Sequence, residues 1–149
     1  MGAEALLRRE DIVLGVSLQD RSEAVDLVGQ MLVANGSVTE EYVAGMHRRE
    51  QVVSTYLGNG VAMPHGVSEV RGAIKRTSVV VAQVPDGVDW DGGTARIVIG
   101  LAAADDEHLT LLAHFAEILM DEDIVDTLAT SDDVDYVHAL LSPRASEHG

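Results

Sequence analysis

Residues 54–66 read STYLGNGVAMPHG, a stretch that makes several different demands on the backbone. Gly58-Asn59-Gly60 is a turn signal between two short β-rich runs, because glycine and asparagine tolerate the positive φ that tight hairpins require. Pro64 then fixes the backbone and Gly66 lets the chain turn close by, so His65 is presented where a short strand should end. Strand ends are where open α/β sheets place their sites. On spacing alone, a tight turn and a working histidine are equal readings of Pro-His-Gly.

Working outward, the flanking segments alternate between helical and extended patterns. A short apolar run stands at Ile12–Leu14. Downstream of it, Ser22–Asn35 carries Ala24, Val25, Leu27, Val28, Met31 and Leu32 as a helical stripe, with Gly36 placed as its stop. Thr39 opens a second helical stretch with Glu40 and Glu41 in its first turn, where the helix dipole favours acids, and it should run to about Val52. Beyond the opening stretch, Thr77–Val84 and Arg96–Ala103 are rich in Val and Ile without helical gaps, as in strands covered on both faces. Residues 85–93 between them are dense in turn formers and are expected to be a loop. Three helices, roughly Asp106–Leu119, Asp121–Ala129 and Asp132–Leu141, precede a tail from Ser142 that is expected to fray. The pattern predicts one α/β domain over residues 1–149, a three-layer α/β/α sandwich without repeats or linkers.

Composition narrows the chemistry. The chain has 149 residues and is 46% apolar with one Trp and one Phe, enough for a real core that must be largely aliphatic. It has no cysteine, which excludes disulfides, thiolate metal sites and a thiol nucleophile. The formal charge of −15 repels nucleic acid and anionic membrane surfaces and suits a basic partner. Apolar runs such as Ser78–Val84 and Ile97–Ala104 are too short to cross a bilayer, and no basic-then-apolar leader opens the chain, so a soluble, cytoplasmic protein is expected. Met1-Gly2 does not make a myristoylation signal, because Leu6 stands where that signal wants Ser or Thr.

Of the six histidines, most read as packing or surface residues. His148 lies in the tail, His138 beside Leu140 and Leu141, His114 on a polar face with Thr110 and Glu117, and His47 among charged neighbours. His108 differs: it falls in the first turn of a helix and shares a face with Leu111, Leu112 and Phe115, so it points inward or along the sheet edge. A partly buried, satisfied histidine and a site residue are both open there. Asp105-Asp106-Glu107-His108 is a poor metal set, because these neighbours fan out around the helix start. Arg49 follows Tyr42 by seven residues and Met46 by three, which puts it on or beside the apolar face of its helix, while Arg48 can pair outward. An inward arginine needs an anion or a carboxylate, and the spacing leaves a structural ion pair and an anion site equally open.

The segment HRREQVVSTYLGNGVAMPHG resembles the enzyme IIA components of the phosphoenolpyruvate-dependent phosphotransferase system, mannitol/fructose class. In that family an Arg-Glu pair on a helix leads into a strand, a Leu-Gly turn and a Pro-His-Gly phosphorylation site. The resemblance continues through QVPDGVDWDGGTARIVIGLAA, DDEHLTLLAHFAEIL and the closing helices, and so covers nearly the whole chain in order. Tyr-Leu-Gly-Asn-Gly and Val-Asp-Trp look like the mannitol branch. The resemblance implies a mixed sheet between helical layers, a phosphorylated His65, His108 supporting the phosphoryl group and Arg49 binding it. It implies no cofactor and no metal. It also implies HPr as phosphate donor and, as acceptor, a IIB component on a separate chain that carries a cysteine in the mannitol branch. One departure is visible: Val67 and Ser68 follow the glycine, where many relatives have a threonine directly after it. Two alternatives accompany this reading: a regulatory, nitrogen-type IIA protein, and a non-catalytic interaction domain of the architecture seen in anion-exchanger cytoplasmic domains. Arg49, His65 and His108 together speak against the second.

Overall fold

A computed structural model describes residues 7–52, 54–65, 73–90, 92–103 and 106–141, with the side chains of residues 106–109 outside that set. The expected tail from Ser142, and Val67 and Ser68, lie outside the described residues. The described elements run β1 (Ile12–Val13), α1 (Arg21–Ala34), α2 (Glu40–Val52), β2 (Tyr56–Gly58), β3 (Val61–Ala62), β4 (Ser78–Trp90), β5 (Gly93–Ala102), α3 (Asp106–Leu119), α4 (Glu122–Thr130) and α5 (Val134–Leu141). Helix α1 starts where Asp20 accepts a hydrogen bond from the Glu23 N–H at 2.8 Å, satisfying one of the amides that every helix start leaves open.

The strands form one five-stranded sheet in the order β1-β4-β5-β3-β2. It is mixed, as the family resemblance implied: β1 is parallel to β4 and β3 to β5, while β4–β5 and β2–β3 are antiparallel. Strands β4 and β5 are buried on both faces, and their side chains divide with period two. Val79, Val81, Ile97, Ile99 and Leu101 join Phe115, Leu128, Val137 and Leu141 of α3–α5 in one core. Val80, Ala82, Val98 and Ala102 face Val25, Val28, Leu32, Tyr42 and Met46 of α1 and α2 in the other. The three-layer α/β/α arrangement follows from those two aliphatic cores.

Much of the expected loop over residues 85–93 is instead strand. β4 continues to Trp90 and β5 begins at Gly93, with Val88 opposite Ala95 and Trp90 opposite Gly93. The turn formers Pro85 and Asp86 are absorbed where the register shifts between Gln83 and Val88, an irregularity that bends the ribbon without ending it. The hairpin at residues 58–61 is the predicted one. Asn59 and Gly60 both have positive φ, 55° and 81°, the signature of the turn that matches strand twist. The Asn59 amide also donates to the Leu119 and Met120 carbonyls at 3.1 and 2.9 Å, which ties the hairpin to the C-terminal end of α3.

Candidate functional site

His65 stands at the C-terminal end of β3. Val61 pairs with Ile97, Ala62 with Val98 and His65 with Leu101, so the histidine keeps the offset of the strand even though Pro64 cannot donate to the ladder. The chain is held on either side of the proline nitrogen instead: Leu101 N–H donates to the Pro64 carbonyl at 3.1 Å, and Met63 N–H donates to the Thr55 carbonyl at 3.0 Å. His65 is 9% exposed. Its Nδ1 lies 2.9 Å from the Met63 carbonyl oxygen. A carbonyl can only accept, so the neutral ring carries its proton on Nδ1 and its lone pair on Nε2.

The same strand partner leads on to His108. β5 runs parallel to β3, ends one residue past Leu101 at Ala102, and is followed by α3, whose third residue is His108. The topology therefore brings the first turn of α3 to the end of the sheet where His65 stands. The His108 side chain lies outside the described residues, so the inward orientation expected for it is not described.

Arg49 occupies the last turn of α2 and is half-buried. Helix α2 is fastened to the histidine's neighbours at two points. The Tyr42 hydroxyl donates to the Leu101 carbonyl at 2.7 Å, and Glu50, next to Arg49, binds Thr55. Glu50 was not singled out from the sequence, yet it is the residue that takes the interior position, 6% exposed. One carboxylate oxygen accepts from Thr55 N–H at 3.0 Å and from the Trp90 indole N–H at 2.9 Å. The other accepts from the Thr55 hydroxyl. Its spacing was the available signal: it follows Met46 by four residues and Val43 by seven, on the apolar face, where an acid must find donors.

The Tyr-Leu-Gly-Asn-Gly segment packs against the start of β5. A Cβ on Gly93 would lie 2.6 Å from the Tyr56 hydroxyl, which allows only glycine beneath that ring. The Tyr56 hydroxyl accepts from Gly60 N–H at 3.0 Å, so the aromatic braces the hairpin that delivers β3. Three other histidines have structural partners. His47 lies 3.6 Å from Asp26, His114 3.3 Å from the Leu141 carbonyl and His138 2.8 Å from the Leu7 carbonyl.

Residues 5–143 match the family described as "Phosphoenolpyruvate-dependent sugar phosphotransferase system, EIIA 2". The chain is 41% identical over 123 residues to the mannitol-specific phosphotransferase enzyme IIA component of Staphylococcus aureus, a match covering 83% of this chain and 85% of that protein. It superimposes on the Escherichia coli complex of enzyme IIAMTL and phosphorylated enzyme IIBMTL with a TM-score of 0.88 and 37% identity, over 93% of this chain and 100% of the other. The crystal structure of IIA mannitol from Escherichia coli gives a TM-score of 0.85 at 38% identity, over 90% and 97% of the two chains.

Proposed function

The chain belongs to the EIIA 2 family of the phosphoenolpyruvate-dependent sugar phosphotransferase system, and we propose that His65 is the residue on which it carries phosphate. The protein is a phosphoryl carrier of the mannitol type that accepts phosphate from HPr and passes it to a IIB component. The observation that carries the assignment is the 2.9 Å bond from His65 Nδ1 to the Met63 carbonyl. It leaves Nε2 as the nitrogen with a lone pair, at the end of a strand in a site that α2 and α3 both flank.

The chemistry follows from that geometry. An imidazole with an ordinary pKa of about 6.5 is largely neutral and nucleophilic near pH 7. The Nε2 lone pair attacks phosphorus as the N–P bond of the donor phosphohistidine breaks and its electron pair returns to the donor nitrogen. The His65 proton never leaves Nδ1, and the Met63 carbonyl holds it throughout. In the second half-reaction the acceptor's thiolate forms an S–P bond as the Nε2–P bond breaks. Both transfers pass through a loose, metaphosphate-like state in which positioning and charge do most of the work. Arg49 supplies bidentate hydrogen bonds to the equatorial oxygens, and His108 with the amides of the α3 start supplies further donors. We place the protein in the cytoplasm, a reading supported by there being no helix among the described residues long and apolar enough to cross a membrane.

Incubation with phosphoenolpyruvate, enzyme I and HPr tests this reading. Acid-labile phosphate should accumulate on the native protein, and the ³¹P–¹⁵N coupling pattern should place it on Nε2. His65→Ala should take up none. Equal uptake by His65→Ala, or no uptake by the native protein, refutes the assignment.

A further inference from the structure

The carboxylate of Glu50 is the first member of a hydrogen-bonded series that ends on the His65 ring. Glu50 accepts from Thr55 N–H at 3.0 Å and from the Thr55 hydroxyl. The Thr55 carbonyl accepts from Met63 N–H at 3.0 Å, and the Met63 carbonyl faces His65 Nδ1 at 2.9 Å. The links through Thr55 N–H, Met63 N–H and His65 Nδ1 are of ordinary hydrogen-bond length, and Thr55, Met63 and His65 are all buried. Trp90 adds a third donor to the carboxylate from the end of β4, so one acid joins the last turn of α2, the start of β2 and the β4–β5 ribbon.

We propose that Glu50 is a positioning residue for phosphoryl transfer: through Thr55 and Met63 it fixes the carbonyl that holds His65 Nδ1–H, and with it the attacking direction of Nε2. This rests on His65 being the phosphate carrier. The links pass through saturated Cα atoms, so they transmit position rather than charge. The same carboxylate also ties down the last turn of α2, which bears Arg49. One buried acid thus contributes to the placement of the nucleophile and of the helical turn that bears the arginine.

If position is what matters, shape-preserving and shape-changing substitutions must separate. In Glu50→Gln the amide oxygen keeps the Thr55 and Trp90 N–H donors, and the amide NH₂ donates to the Thr55 hydroxyl, which can also accept. Glu50→Asp keeps the charge but is one methylene too short to reach both partners. Single-turnover transfer from phospho-HPr should stay within about threefold of native in Glu50→Gln and fall about ten- to a hundredfold in Glu50→Asp and Glu50→Ala, the scale set by small misplacements of reacting groups. The affinity for HPr should not change. The ¹⁵N chemical shifts of His65 should report a loss of the Nδ1–H tautomer in the slow variants, which a merely structural defect elsewhere would not produce. Should Glu50→Ala not fold, the Gln and Asp pair decides alone.

Native rates with an unchanged tautomer in Glu50→Asp would overturn the proposal, with slowing in Glu50→Gln alone making charge the determinant, and so would a Glu50→Gln variant slowed as much as Glu50→Asp, because a shape-preserving substitution would then be as harmful as a shape-changing one. His65→Ala run in the same assay separates the two readings. If it still takes up phosphate, the carrier assignment itself has failed. If it does not, and the Glu50 variants transfer normally, only the positioning role is lost.

Discussion

At Arg49 and Glu50, two neighbours share one helical turn and divide two tasks. A 3.6-residue period places both on or near the face of Tyr42 and Met46, so spacing could nominate the arginine but could not say which of the two is interior. The structure buries the acid and leaves the arginine half-buried, because the acid alone finds neutral donors in Thr55 and Trp90. Arg49→Ala should therefore keep the native fold, seen as unchanged circular dichroism and denaturant midpoint, while transfer to IIB slows by about 10²–10³-fold, the usual loss when one preorganised charge donor is removed. Arg49→Lys should recover little of that rate, since an ammonium cannot offer the planar, two-pronged donor set of a guanidinium. Unfolding of Arg49→Ala would restore the structural ion pair as its role. The state of the histidine was equally out of reach of spacing: Pro-His-Gly shows a ring at a strand end, but its tautomer depends on a carbonyl two residues back that only the fold aims at it.

Among the elements, those with strong patterns were legible and the one with conflicting patterns was not. The apolar stripes of α1 and α3, the start of α2 and the Val-Ile runs of β4 and β5 each point to one structure, because tertiary packing asks of them what local pattern already suggests. Residues 85–90 read as loop, yet pairing with β5 across a bulge supplies hydrogen bonds and buries Val88 and Trp90, which outweighs the turn propensity of Pro85, Asp86 and Gly87. The 58–61 hairpin was readable as a turn, but not its second duty of capping α3. Asn59→Ala should cost about 1–3 kcal/mol, combining a side chain forced into the left-handed region with the loss of two hydrogen bonds of about 1 kcal/mol or less each. Asn59→Gly removes only the capping part and should cost less. Urea denaturation measures both, and phosphoryl uptake should be near native in each, because this turn lies at the end of β3 away from His65.

For the whole molecule, a formal charge of −15 accompanies a site whose proposed task is to take on further negative charge. A phosphoryl group adds about −1.5 to −2 at neutral pH, so a cationic partner surface, which the acidic chain would attract, would also offset the carrier's loaded state. The second-order rate of phosphoryl uptake should fall several-fold, by roughly the leverage electrostatic steering gives, as ionic strength rises from about 0.02 to 0.5 M, while the single-turnover rate within the complex changes little. Stopped mixing at a series of salt concentrations checks it. The layered architecture was visible in the sequence because it needs only two aliphatic faces on each central strand, whereas the juncture of α2, β2 and the β4–β5 ribbon joins residues from positions 50, 55 and 90 that no local pattern connects. That juncture contains the chain's single tryptophan, whose indole N–H is bonded to Glu50. The unlabelled protein therefore carries its own fluorophore on that carboxylate, with no second indole to dilute the signal, so a rearrangement around Glu50 should shift its emission in real time.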